Sequence, residues 1–167
     1  HFGVRAFFVI SGFLITTLLV SEMKKTGHIA LGSFFLKRAF RIFPAYYVYL
    51  GVMIGAAWLG FVPLPWRDAV LALTYTINYQ QHRSWYVGHA WSLSVEEQFY
   101  LVWPLALRLA GVARGHRVAL GAVVVAPLFR IAWALAFTTR EERLFIGEAF
   151  PTVCDSIAMG CLLALLR

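Results

Sequence analysis

Long runs without a charged residue, separated by short basic clusters, constrain this chain more than any other feature. Ile42 to Val62 carries no Asp, Glu, Lys or Arg, and a bilayer core takes roughly 20 apolar residues of helix to cross. Val4 to Val20 reads as a first crossing, closed by Glu22, Lys24 and Lys25, with Arg5 snorkelling at its end. Val118 to Phe137 reads as another, interrupted by Pro127 and Arg130, and Pro151 to Leu166 begins the last. Ile29 to Phe40 is amphipathic, with Leu31, Phe34, Phe35 and Ala39 set apart from Lys37, Arg38 and Arg41, and is placed along the membrane surface. Ala69 to Tyr79 is apolar but about half a span long, which suits a re-entrant or interfacial helix.

Composition agrees: 60% of the 167 residues are hydrophobic and 14% charged, whereas soluble domains carry about a quarter charged residues. The net charge of +7 sits in clusters between apolar segments, a pattern of cytoplasmic loops rather than of nucleic-acid binding. Putting residues 24–41 and 108–117 inside gives one consistent topology. The first span then runs inward and the second outward, residues 63–93 lie outside, and the remaining spans run inward, outward and inward. Tyr46, Tyr47, Tyr49 and Trp58 suit interfacial aromatic belts. The fold class expected is all-α, a polytopic integral membrane helical bundle of about five spanning helices plus one re-entrant or interfacial helix. The abrupt start at His1-Phe2-Gly3, with no leader-like n-region, and the apolar end at Leu162 to Leu166 are read as an internal piece of a longer membrane protein. Cys154 and Cys161 lie seven apart on one helical face and predict no disulfide framework.

The densest chemistry lies in Gly88 to Pro104, GHAWSLSVEEQFYLVWP. Ser94 with Glu97 fits a capping box at the start of a helix reaching Ala110, with Pro104 as a kink. Glu96 has no such local role. An ionisable group one turn into a helix entering lipid is a functional hypothesis by default, as a general acid or base or as partner of a buried cation; a structural salt bridge is the alternative. His89 precedes the helix and reads equally as a base or as a clamp on its loop. Ser92 and Ser94 read as caps rather than nucleophiles. Arg38 and Arg41, three apart on one helical face, have the spacing to grip phosphate bidentately, or they are ordinary inner-surface anchors. Arg130 and Asp155 each stand in an apolar span and are expected to satisfy one another or Glu96. Ser11-Gly12 reads as small-residue helix packing. No His, Cys or Asp cluster has metal-ligand spacing, so no metal is expected.

Four motifs in order resemble the membrane acyltransferase family 3, multi-spanning enzymes that O-acylate surface polysaccharides and related glycans. GVRAFFVISGFLIT (Gly3 to Thr16) is similar to the family's second transmembrane helix. FFLKRAFRIFPAYY (Phe34 to Tyr47) is similar to its cytoplasmic Arg-x-x-Arg segment, HAWSLSVEEQFYLVWP (His89 to Pro104) to its most recognisable signature, and PTVCDSIAMGCLLA (Pro151 to Ala164) to a later Asp-containing helix. The resemblance covers nearly the whole chain. It implies that Arg38 and Arg41 help bind an acyl-CoA donor, most simply acetyl-CoA, from the cytoplasm, and that Glu96 with the Trp91-Ser92 turn belongs to the acyl-transfer region. It further implies a principal catalytic histidine on a helix preceding residue 1, a role not assigned to His1. Arg5 departs from the pattern, standing where an aspartate is common.

The reading is then one transmembrane acyltransferase domain over residues 1–167, truncated at both ends and inactive by itself, from a protein of the bacterial inner membrane. It would move an acyl group, most simply acetyl, from acyl-CoA to a hydroxyl of a cell-surface or exported glycan. Glu96 and His89 would serve catalysis, Arg38 and Arg41 the donor, and Trp91, Ser92, Arg130 and Asp155 the substrate or the scaffold. A non-catalytic acyl-CoA-binding homologue and a transporter subunit are the alternatives; the latter predicts inverted repeats, which the sequence does not contain.

Overall fold

The computed structural model describes residues 2–136 and 145–167. All its regular elements are helical: α1 (Phe2–Thr26), α2 (Leu31–Trp58), α3 (Trp66–Leu73), a 3-10 turn (Ile77–Tyr79), α4 (Trp85–Gly88), α5 (Ala90–Ala110), α6 (Val112–Ala136), a second 3-10 turn (Phe145–Gly147) and α7 (Phe150–Leu165). The chain divides into two compact units, one of His1–Ile29 with Val95–Arg167, the other Ala30–Ser94. The expected charged loop Thr138 to Phe150 and the last residue of the span ending at Phe137 fall largely outside the described residues.

The first unit is held by backbones that touch. At Gly12 a Cβ would stand 2.0 Å from the Ile157 carbonyl oxygen, and at Gly160 one would stand 1.9 Å from the Val9 carbonyl oxygen. Each glycine is thus the hollow into which the other helix's backbone fits. Between lipid-facing helices such close packing supplies attraction that the hydrophobic effect does not. The Cys161 thiol donates to the Gly12 carbonyl at 3.4 Å, on the same seam. Contacts advance together along both helices, from Arg5 with Asp155 to Gly12 with Cys161, so α1 and α7 run parallel. Ser11 meets Tyr100 and Thr16 meets Trp103, so α5 runs parallel to α1 as well. Gly115 lies against Leu165 and Arg130 against Asp155, which makes α6 antiparallel to α7. Only Gly111, at φ 75°, separates α5 from α6, a left-handed conformation that glycine adopts without strain.

The second unit has its core in Tyr46, Leu50, Ala72, Tyr75, Ile77, Val87 and Ala90. Tyr46 and Tyr75 stack with ring centroids 4.6 Å apart. Tyr46 Oη donates to the Ala72 carbonyl at 2.9 Å, and Tyr47 Oη to the Leu73 carbonyl at 3.2 Å. Two phenols of α2 therefore take carbonyls that the end of α3 leaves without intrahelical partners.

Several expectations change. Ile29 to Phe40 is not a separate surface helix: it continues through Pro44 into the apolar run as the single 28-residue α2, because the basic stretch contains no helix breaker. Ala69 to Tyr79 is not one dipping segment, since α3 stops at Leu73 and the chain turns through Tyr75 at φ 54°. The α2 tyrosines serve as hydrogen-bond donors rather than as a belt alone. Of the five expected crossings, α1, α2 and α6 are long and apolar enough to span a membrane. α5 has 21 residues but is interrupted by Glu96, Glu97 and Gln98, and α7 has 16. α6 begins at Val112 rather than Val118, so Arg114, His116 and Arg117 ride on its first turns.

The close seam gives a direct prediction. Gly12→Ala and Gly160→Ala place a methyl against backbone that cannot swing aside, and each is expected to lower stability in detergent by about 2 kcal/mol or more. Gly51→Ala and Gly55→Ala on α2 meet nothing within 4 Å and are expected to be neutral or to raise stability by about 0.5–1 kcal/mol. Thermal unfolding of the four variants checks the contrast.

Candidate functional site

In the first unit the polar groups of the apolar helices converge in two places. Glu96 is 2% exposed, and Tyr100, one turn on, donates its hydroxyl to Glu96 Oε1 at 2.9 Å. The Tyr100 oxygen is also hydrogen-bonded to Ser11 Oγ of α1. With the phenol proton committed to the carboxylate, the serine is the donor, so the polarity runs Ser11 to Tyr100 to Glu96. Below this line Trp103 Nε1 donates to Thr16 Oγ1 at 2.9 Å. The arrangement orients a buried carboxylate through a line of donors placed on two helices.

The second place is Asp155. Arg130 Nη2 lies 2.6 Å from its Oδ2 and Arg5 Nη1 3.0 Å from its Oδ1. Arg5 Nη1 also donates to Ser156 Oγ at 2.9 Å. One carboxylate on α7 thereby ties α1 and α6, each side chain being half-buried. The sequence raised Arg130 with Asp155 but not Arg5, whose partner is 150 positions away. The signal available was its rarity: three charged side chains in otherwise apolar helices are each costly alone.

In the second unit Arg38 is half-buried and Arg41 exposed, on one turn of α2. Two guanidiniums three apart on one face fit phosphate as charges and as fork donors. His89 is exposed and caps the C-terminus of α4; its ring meets Tyr49 edge-on at 5.3 Å. Tyr49 in turn donates its hydroxyl to the Tyr86 carbonyl. The loop is knitted further by Arg83, whose Nε donates to the Gly88 carbonyl at 3.1 Å and Nη1 to the Gln80 carbonyl at 2.8 Å. Asp68, 2% exposed, accepts the Ser84 amide at 2.6 Å. Neither Arg83 nor Asp68 was singled out from sequence, since a loop Arg and an acid beside a short helix carry no pattern of their own. Gln81, Arg83, Trp85, Gly88 and His89 line an open cavity of about 390 Å³.

The capping box is overturned. α5 begins at Ala90, so Ser94 is interior and its Oγ donates back to the Ala90 carbonyl at 2.9 Å. A Ser bonding the carbonyl four residues back is the interior alternative to capping. Ser92 likewise bonds back, to the His89 carbonyl at 3.3 Å, instead of capping an amide. Trp91 is 8% exposed and lies in the helix, not in a turn. Glu97 is thus left without the capping role. The unit boundary falls between Ser94 and Val95, so His89, Trp91 and Ser92 belong to the second unit and Glu96 to the first. Among the described residues no group of His, Cys, Asp or Glu is arranged to hold a metal ion.

The family model described as "Acyltransferase domain" matches residues 1–167. The O-acetyltransferase OatA of Staphylococcus aureus strain NCTC 8325 is 31% identical over 184 residues, covering 97% of this chain and 29% of that protein. The same-named protein of strain MRSA252 matches equally. A further sequence from strain COL, named as a candidate O-acetyltransferase, is 30% identical over 188 residues, 98% of this chain and 30% of its own length. The chain therefore spans about three-tenths of the curated relatives it matches. No solved structure matches it.

The shared carboxylate predicts unequal variants. Asp155→Asn strands two guanidiniums and is expected to cost about 2–4 kcal/mol, whereas Arg130→Gln leaves Asp155 paired with Arg5 and is expected to cost about half as much. The double change leaves only Arg5 without its counter-charge and is expected to cost less than Asp155→Asn alone, read as thermal unfolding in one detergent.

Proposed function

The chain belongs to acyltransferase family 3, and on that premise we propose that the whole protein is an O-acyltransferase of the bacterial inner membrane, crossing it several times. It moves an acyl group, most simply acetyl, from cytoplasmic acyl-CoA to a hydroxyl of a cell-surface or exported glycan. The relatives' names, O-acetyltransferase, support the reaction class. The observation that carries the assignment to this chain is the buried Glu96 oriented by Tyr100.

In this reading the thioester C–S bond of the donor is exchanged for a C–O bond to the glycan, and the thiol is released. Glu96 takes the proton of the attacking hydroxyl, the leaving thiolate takes up one proton to become the thiol, and Tyr100 with Ser11 keeps the carboxylate aimed. Arg38 and Arg41 hold the donor's phosphates. His89 assists in the transfer region, beside Trp91 and Ser92. Arg130 and Asp155, with Arg5, keep the helices that carry Ser11 and the later chain in register.

The full-length protein in membranes, supplied with radiolabelled acetyl-CoA, tests these roles. Glu96→Gln is expected to reduce transfer to surface polysaccharide about 100-fold or more with donor binding kept. The double change Arg38→Ala with Arg41→Ala is expected to weaken donor binding about tenfold or more. Transfer by Glu96→Gln within twofold of wild type overturns its role as base.

A further inference from the structure

The cavity in the loop after α3 is used by none of the roles assigned above except that of His89. Its lining is chemically mixed: the indole of Trp85, 86% exposed, shares it with Gln81, Arg83, Gly88 and His89. Its volume, about 390 Å³, falls within the range of small-molecule sites, which run roughly 300–1,000 Å³. Part of the lining is tied down by hydrogen bonds within the loop. Arg83 bridges the carbonyls of Gln80 and Gly88, the Ser84 amide is tied to Asp68 and its hydroxyl to the Pro63 carbonyl at 3.1 Å. The ring of His89 meets Tyr49 edge-on. The part held before binding loses less ordering entropy when a ligand arrives.

We propose that Gln81, Trp85 and His89 form the subsite for one pyranose ring of the glycan acceptor. A sugar ring presents an apolar C–H face and a rim of hydroxyls, and this cavity offers one flat apolar surface with hydrogen-bonding side chains around it. Trp58, Phe61 and Trp66 are comparably exposed, but they do not line the cavity, so an interfacial aromatic role accounts for them and leaves the polar neighbours of Trp85 unexplained. The inference rests on the proposed function for its ligand class, and on the topology that puts residues 63–93 outside.

The test uses the full-length protein, with oligosaccharides released by mild acid from the host's own envelope as probe. The fluorescence of wild type minus that of Trp85→Phe isolates Trp85 from the other tryptophans. That signal is expected to change saturably with the oligosaccharides, and Gln81→Ala is expected to weaken the response. In membranes, Trp85→Ala is expected to raise the acceptor KM about tenfold with the acetyl-CoA KM unaltered, and Trp85→Tyr is expected to recover most of the loss. Transfer with an unaltered acceptor KM in Trp85→Ala, or a Trp85 signal that answers to lipid vesicles and not to oligosaccharides, overturns the subsite and leaves the proposed function standing. A saturable Trp85 signal in a protein that transfers no acetyl group supports the subsite and overturns the proposed reaction.

Discussion

The contact on which the first unit depends is the meeting of two backbones, α1 and α7, at Gly12 and Gly160. In an apolar solvent burying more leucine yields little, and what remains is van der Waals packing and hydrogen bonding between helices. The two glycines let the axes come near enough for the rest to connect. At that separation Arg5 reaches Asp155 and Ser156, and the Cys161 thiol reaches a carbonyl of α1. Ser11 and Thr16, on the helix so positioned, meet Tyr100 and Trp103 of α5.

A different device orders the second unit. There the hydroxyls of Tyr46, Tyr47 and Tyr49 reach backbone carbonyls in α3 and the loop beyond it. Their rings fill the core while their polar ends satisfy groups that the short α3 cannot satisfy itself. The loop around Trp85 is therefore a set of carbonyls and amides with named partners, which is why a chain segment with little regular structure can keep a cavity open.

The sequence made the helical class plain because its runs exceed what anything but a span or a buried helix needs. Glu96 stood out for the same reason, as a charge at the mouth of an apolar segment. The start of its helix did not: Ser94, Val95, Glu96 and Glu97 spell a capping box, yet Trp85 to Gly88 had already formed a turn of helix and α5 follows it directly. Local spelling lost to tertiary packing around Val87 and Ala90. The continuity of α2 was hidden by a change of composition at Phe40, from amphipathic to apolar, which alters what the helix faces but not whether it continues. Arg5 was legible as an oddity and not as half of a pair, because a partner 150 residues distant leaves no periodicity to read.

Asp155 also imposes an order of assembly. Synthesis runs from the amino end, so α1 with Arg5 and then α6 with Arg130 are made before the carboxylate that joins them exists. The notch at Gly12 likewise waits for the carbonyl of Ile157. The last helix described is thus the closing piece of its unit: a ribosome that stops short of it leaves Arg5 and Arg130 without their shared counter-charge and α1 without its backbone seat.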